Sequence, residues 1–280
     1  MPFLKLARII FIFLRFRLNE IFPKEILPFW LKIVFFLSPF NFIPTNKKLG
    51  IRLAEALEIA GPIFVKFGQL LSTRPDFLDE DVIQELQKFQ NNLKPFPSEE
   101  AIKIIEKDLG HPINELFAQF NESPLAAASI AQVHEATLKS GENVVVKVVR
   151  PNLDKKIKDD VSILKMIGKV ANTFDADARR LQLLEMIREY EYVITSEVDL
   201  KKEAGNTIQT AKFFEDSNLL YVPKVYLEYS SNKTLTLEKI EGIPVTDLKV
   251  LEDKKVDLKT VSYTHLRAHE TLRYLVCRLL

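Results

Sequence analysis

The sequence is short of several things, and each shortage closes off a class of answers. It holds a single cysteine, Cys277, in 280 residues. No internal disulfide can form, and no cysteine–histidine set with metal-ligand spacing exists. A reducing, cytosolic compartment fits that usage. Glycine is scarce at 8 residues, where roughly 20 would be average for this length. That scarcity suits a helix-rich chain and makes each glycine worth explaining. Net charge is only +1, so no bulk electrostatic attraction draws the chain to nucleic acid. Clean membrane-spanning runs are lacking too. The apolar stretch Ile9–Leu14 is too short, and Ile26–Ile43, which carries Trp30, is interrupted by Pro28, Lys32 and Pro39. No small-residue cleavage site follows the first run, which argues against a signal peptide.

What is present is a globular profile, 47% hydrophobic and 28% charged, long enough for one large or two ordinary domains. There is no internal repeat or low-complexity segment. Residues 1–50 form a basic, Phe-rich extension in which Lys5, Arg8, Arg15 and Arg17 interleave with large apolar residues. That is the composition of a helix lying on a membrane surface. The same residues would equally let the segment pack on the protein's own body.

Residues 51–122 read as helical. Leu53, Leu57, Ala60, Phe64, Phe67 and Leu71 recur at steps of three and four, the period of one helix burying one face. Within it, PIFVKFGQLL (62–71) places Lys66 and Gln69 three apart, on the same side and beside the apolar stripe. Gly68 between them costs a helix roughly 1 kcal/mol against alanine. Lys66 is then either a lysine snorkelling along apolar surface or a working residue against a close neighbour. DEDVIQELQKFQNNL follows, with apolar spacing at Val82, Leu86, Phe89 and Leu93. After Pro95 and Pro97, SEEAIKIIEKDLG is expected to start with Ser98 as N-cap and stop at Gly110.

From about residue 123 the pattern turns to strands. VHEATL (133–138) and NVVVKVV (143–149) flank KSGE and predict a β-hairpin. Helical segments follow Pro151, including LQLLEMIREYEYVITSEVDLKKEAGN (181–206). YVPKVYLEY (221–229) and KTLTLEKIEGIPV (233–245) then read as two more strands. The order predicts an α+β fold, a small antiparallel sheet with one crossing helix. Alternation puts Val145, Lys147 and Val149 on one sheet face, so an ammonium emerges from an apolar strand. Ahead of it lies a loop of small residues, PLAAASIAQVHEA. After it comes a helix rich in carboxylates. Small-residue loop, strand lysine and helix glutamate are the phosphate-handling parts of a protein-kinase N-lobe. Small side chains in the loop let backbone N–H groups approach an anion.

The loop has Ala126, Ala127 and Ala128 where an ordinary kinase has glycines. With that departure the sequence resembles the UbiB family of atypical kinase-like proteins. The matching stretches are KFGQLLSTRPD (66–76), PLAAASIAQVH (124–134), VVVKVVRP (144–151), REYE…SEVDLKKEAGN (188–206), FEDSNLLYVPKVY (214–226) and IEGIPVTD (240–247). The resemblance covers about residues 1–255. It implies a kinase-like N-lobe over 123–255, preceded by a helical extension carrying a KxGQ motif over 51–122. It further implies that Leu125, Ala126, Ala127, Ala128, Ser129, Ile130, Ala131, Gln132 and Val133 form an alanine-rich nucleotide loop. Lys147 would pair the phosphates, Glu203 would hold it, and Glu238–Ile240 would line the adenine-side hinge. Lys66 and Gln69 would be the KxGQ signature, Glu197 and Asp199 an ExD pair, both regulatory. The implied activity is that of an ATPase or atypical kinase in ubiquinone biosynthesis, with ATP as cofactor and Mg2+ expected in the full-length family, its ligands absent from this sequence. Implied partners are a membrane surface and prenylated quinone intermediates or other ubiquinone biosynthetic proteins. The implied location is the cytoplasmic face of a bacterial inner membrane, peripheral for this chain.

Spacing adds an expectation of its own. On an unbroken helix Asp199 and Glu203 share a face while Glu197 lies roughly 120° around. Glu203 should therefore pair with Lys147, and the ExD carboxylates should face the KxGQ helix. The resemblance ends after about Thr260. Residues 256–280 do not read as the family's continuation, and no catalytic aspartate, metal-binding asparagine or second metal-binding aspartate is found. The C-terminal lobe and its membrane spans are absent from the sequence, so weak nucleotide affinity and no turnover are expected. His265 and His269 do not make an HExxH zinc pattern. The other reading is a non-catalytic lipid-surface or scaffold module.

Overall fold

The computed structural model describes residues 2–18, 38–42, 45–74, 76, 78–87, 95–174, 179–216, 220–242 and 253. The second Phe-rich stretch and the tail with His265, His269 and Cys277 lie largely or wholly outside these. In chain order the elements are α1 (Pro2–Arg15), α2 (Leu49–Ala60), α3 (Pro62–Leu71), α4 (Glu80–Gln87), α5 (Ser98–Leu109), α6 (Ile113–Leu116), β1 (Phe117–Ala127), β2 (Ala131–Leu138), β3 (Asn143–Val149), α7 (Leu153–Phe174), α8 (Leu183–Val198), α9 (Leu200–Phe213) and β4 (Thr234–Glu238). They gather into two compact units, which divide the chain differently from the expected boundaries at 50, 122 and 255. One unit takes residues up to 93 together with 152–195. The other takes 94–151 and 196 onward.

The first unit is helical. The single helix expected across residues 53–71 is broken in two at Gly61, whose φ of 128° is strained for any other residue. Pro62 then opens α3 at a position where its missing N–H costs nothing. α3 is buried nearly all round, with Ile63 at 1% and Phe64 at 3% exposure. A side chain of that size gains roughly 1.5–3 kcal/mol from full burial. From α8, the Tyr190 hydroxyl donates to the Ile63 carbonyl at 2.6 Å. The Tyr190 ring meets Phe67 edge-on at 5.2 Å. α1 packs on the body of this unit through Ile12, joined by Leu18 just past the helix end, against Ala56. Arg52 caps its C-terminal end by donating to the Phe16 and Arg17 carbonyls at 3.1 and 3.2 Å. Its Ile10 and Phe11 stay exposed.

The second unit is an antiparallel sheet of order β1-β2-β3-β4, covered on one face by α5. Val144, Val146 and Val148 of β3 point into a core with Phe117, Ala136 and Leu138, and with Ala101 and Ile105 of α5. The predicted hairpin forms in register, Val133 opposite Lys147 and Thr137 opposite Asn143. Gly141, with φ of 98°, turns the chain between its strands. Three expectations fail for local reasons. β1 begins at Phe117, not near 123. It is an irregular edge strand with register shifts around Pro124, and its polar sequence hides it. Segment 221–229 makes only one bridge, Val225 to Leu237, and then a 3-10 turn, because Tyr226 and Tyr229 turn onto the core. Ser98 is the first residue of α5 after Pro97 at the cap position; its hydroxyl donates to the Glu122 carbonyl at 2.6 Å and ties the helix to β1. Gly110 does end α5 in the left-handed conformation. The connection from β3 to β4 contains three helices rather than one, of which α9 packs in this unit against β4.

Candidate functional site

Pairing across the sheet fixes which side chains share a face. Lys147 stands opposite Val133 on one side and Leu235 on the other, so all three project from the same face. This is the face away from the α5 core, and Lys147 is half-buried on it. Its ammonium sits between both carboxylate oxygens of Glu203, at 2.7 and 2.8 Å. Their side chains are 28% and 26% exposed, enough for a third charged group to reach the pair.

Glu203 is carried by the first turn of α9. The continuous helix expected through 197–203 does not exist: α8 ends at Val198 and α9 starts at Leu200. Asp199 between them is extended, with φ −89° and ψ 90°. The break turns the chain toward the sheet, where the Leu200 N–H donates to the Asn232 carbonyl at 2.9 Å just before β4. Glu203 then lies in the first turn of the new helix, at the positive end of its dipole. Asp199 occupies the cap position without using it. Its side chain makes no capping bond, and its Oδ1 is buried without a hydrogen-bond partner among the described residues. An N-cap aspartate ordinarily gives its carboxylate to the helix N–H groups.

The alanine-rich segment is the β1–β2 corner rather than a free loop. Leu125, Ala126 and Ala127 end β1, Ala128–Ile130 make the turn, and Ala131, Gln132 and Val133 begin β2. Ala128 N–H donates to the Ala131 carbonyl at 2.8 Å. Leu125 is exposed, Ala126–Ala128 are half-buried, and Ser129 onward is buried. Arg150, just past β3, ties down the turn twice. Its backbone N–H donates to the Ile130 carbonyl at 2.8 Å and its Nε to the Ala128 carbonyl at 2.9 Å. Its guanidinium lies over the Phe96 ring at 5.6 Å. Burial pulls its pKa below the usual arginine range.

The Gln132 side chain belongs to the core and not to the Lys147 face, so only its backbone can meet a ligand there. Its Oε1 accepts from the Phe96 N–H at 3.1 Å, and its Nε2 lies 2.8 Å from His134 Nε2. His134 Nδ1 is 2.9 Å from the Asn121 carbonyl. A carbonyl only accepts, so Nδ1 carries the proton and Nε2 accepts from Gln132. Burial holds the His134 pKa below its ordinary value. This network and the Arg150 tie went unassigned in the sequence; the signal for Arg150 was its place between a buried strand and Pro151.

At the far edge, Glu238 closes β4. Across from Val144, its side chain also faces away from Lys147, accepting from the Tyr221 hydroxyl at 2.7 Å and the Lys224 N–H at 3.1 Å. Ile240 follows, exposed. The structure thus brings Lys147 and Glu203 together, with the alanine corner and Glu238–Ile240 at the two edges of one small sheet. In the helical unit, Lys66 is buried at 7% exposure, so it is not a snorkelling surface lysine; Gln69 is half-buried. Glu197 is half-buried near the end of α8. Among the described residues no group of three or more His, Cys, Asp or Glu could hold a metal ion, and no helix is long and apolar enough to cross a membrane.

Residues 88–272 match the ABC1 atypical kinase-like domain. A probable protein kinase UbiB of Pseudomonas aeruginosa is 45% identical over 266 residues, 94% of this chain and 50% of that protein. One from Marinobacter nauticus is 42% identical over 259 residues, 92% of this chain and 47% of that protein. The chain therefore spans about half the length of the curated relatives it matches. A solved structure, the complex of Rv3197 with erythromycin from Mycobacterium tuberculosis, covers 70% of this chain and 45% of its own at 25% identity and a TM-score of 0.48. With the sheet, the lysine–glutamate pair and the alanine corner all inside the matched region, the chain belongs to the ABC1 family of atypical kinase-like proteins.

Proposed function

We propose that this chain carries the nucleotide-binding lobe of a UbiB-type atypical kinase or ATPase that supports ubiquinone biosynthesis at a membrane. The observation that carries the reading is Lys147 held between both oxygens of Glu203 on the face away from the core. A lysine so held is aimed, which is what pairing with a nucleotide's phosphates requires. The residues fit ATP: a partly exposed cation on the strand face away from the core, a corner of alanines with small side chains, and a strand end at Glu238–Ile240 for the base. Bound there, ATP supplies the phosphoryl group. Lys147 pairs with its phosphates, Glu203 orients Lys147, and the backbone of the corner within residues 125–133 faces them. Gln132 contributes through its main chain alone. Lys66, Gln69, Glu197 and Asp199 act as regulatory residues. An unsatisfied Asp199 oxygen supports a carboxylate kept for a task other than capping. Among the described residues no cluster of carboxylates offers Mg2+ a ligand set.

The test is thermal stabilisation by ATP, measured on the wild type and Lys147→Ala. A shift present in the first and lost in the second supports the reading; equal shifts overturn it. A second reading, a lipid-surface or scaffold module, draws on Ile10 and Phe11, exposed on α1 in a segment that also carries Arg8 and Arg15. Its partners would be the membrane surface and prenylated quinone intermediates or proteins of that pathway. Liposome binding that needs residues 1–43 and ignores ATP would favour it.

A further inference from the structure

Arg150 lies on the side of the sheet opposite Lys147, yet it holds the corner that leads into β2, the strand whose Val133 stands opposite Lys147. Its guanidinium rests on Phe96, and Phe96 belongs to the α5-side core with Val144, Val146 and Val148. The Ala128 carbonyl that accepts from Arg150 Nε at 2.9 Å is therefore drawn toward the core side. In a planar trans peptide the carbonyl of one residue and the N–H of the next point in opposite directions. Turning the Ala128 carbonyl to the core side turns the Ser129 N–H to the Lys147 side.

From this geometry we infer that Arg150 is a positioning residue, which sets the Ala128–Ser129 peptide so that its N–H donates to a phosphate held by Lys147. The inference rests on the nucleotide reading above and adds the device that aims the corner. An ordinary glycine-rich loop reaches such peptide orientations through its own conformational freedom. Alanines lack that freedom, and here a side chain 22 residues further along fixes the orientation from behind. The backbone bond from Arg150 N–H to the Ile130 carbonyl, at 2.8 Å, keeps the arginine itself in place. A cation at the carbonyl end also polarises the peptide, making its N–H a better donor to an anion.

The experiment is calorimetric titration of ATP and, separately, adenosine into the wild-type chain, Arg150→Met and Arg150→Lys. Methionine keeps the stem over Phe96 without a donor. Lysine keeps the charge but puts a methylene where Nε stood, and it decides the matter if the methionine variant does not fold. Losing one aimed donor to a charged group should weaken ATP about tenfold or more, while adenosine, which has no phosphates, binds as in the wild type. The Ser129 amide resonance should move on ATP addition in the wild type and hardly at all in the variants. Variants that bind ATP as tightly as the wild type overturn the inference alone, as does an equal loss of ATP and adenosine. A wild-type chain that binds neither overturns the nucleotide reading and the inference with it.

Discussion

The pair Lys147–Glu203 allows an energetic prediction that needs no ligand. Two unit charges about 3 Å apart attract by roughly 3–5 kcal/mol at an effective dielectric of about 20–40. Both side chains are about three-quarters buried, so each has lost part of its hydration. Holding a lysine in one geometry costs up to about 1.5–2 kcal/mol in rotamer entropy. What remains is about 1–2 kcal/mol, above the median for exposed pairs and well below the cost of stranding a fully buried charge. Lys147→Met and Glu203→Gln should each lower unfolding stability by about that amount, since each leaves the other charge half-buried and alone. The double variant should lose less than the sum, with a coupling of about 1–2 kcal/mol. Urea unfolding of all four chains, compared at constant m, measures it. The coupling should fall only slightly between low and high salt, because partly buried pairs are screened weakly. Additivity within about 0.3 kcal/mol would refute the claim that the pair is held rather than merely adjacent.

Two further predictions concern the sheet unit. Burial lowers the His134 pKa in the fold, so the unfolded chain takes up a proton first as pH drops. The stability that His134 contributes is therefore complete above its unfolded value near 6.5 and is lost as pH falls toward the folded value. Between pH 7.5 and 5.0 the wild type should lose more stability than His134→Gln; parallel pH profiles would contradict this. Gly110 and Gly205 should respond to alanine with opposite signs. At Gly110, with φ of 77° at the end of α5, alanine should cost about 1 kcal/mol. At Gly205, exposed inside α9 with nothing within 4 Å of a new Cβ, it should add about 0.5–1 kcal/mol. Chemical denaturation of the two variants checks both, and a shared sign would be wrong.

What could be read from the sequence was whatever depends on short-range periodicity. Alternation in Val144–Val149 put Lys147 on the correct face, because a strand's period of two leaves no other choice once Val146 is buried. The end of α5 at Gly110 was legible for the same local reason. β1 was not, because an edge strand needs apolar residues on little of its length, and Pro124 reads as a breaker when seen alone. The burial of Lys66 was not legible either. A lysine beside an apolar stripe has the same pattern whether its stem snorkels or its whole side chain is enclosed. What encloses α3 includes Tyr190, which is 127 residues away from the carbonyl it binds.

The most instructive case is Glu203, where the expected partner was right and the geometry behind it was not. One unbroken helix through residues 197–203 would be needed for a helical-wheel angle, but the axis ends at Asp199 and restarts. Angles between Glu197 and Glu203 therefore carry no information. Glu203 still meets Lys147 because its direction comes from where α9 starts. The Leu200 N–H is anchored on the Asn232 carbonyl, Leu200 itself is fully buried, and β4 pairs with the strand that carries Lys147. One turn of helix beyond a fixed start brings the fourth residue back over the sheet. This chain of contacts makes a further demand on the sequence: a substitution that loosens Leu200 should separate the ion pair while leaving both charged residues in place. The arrangement of the site is therefore stored in the docking of α9, and Lys147 and Glu203 can be read from their own positions only as candidates for it.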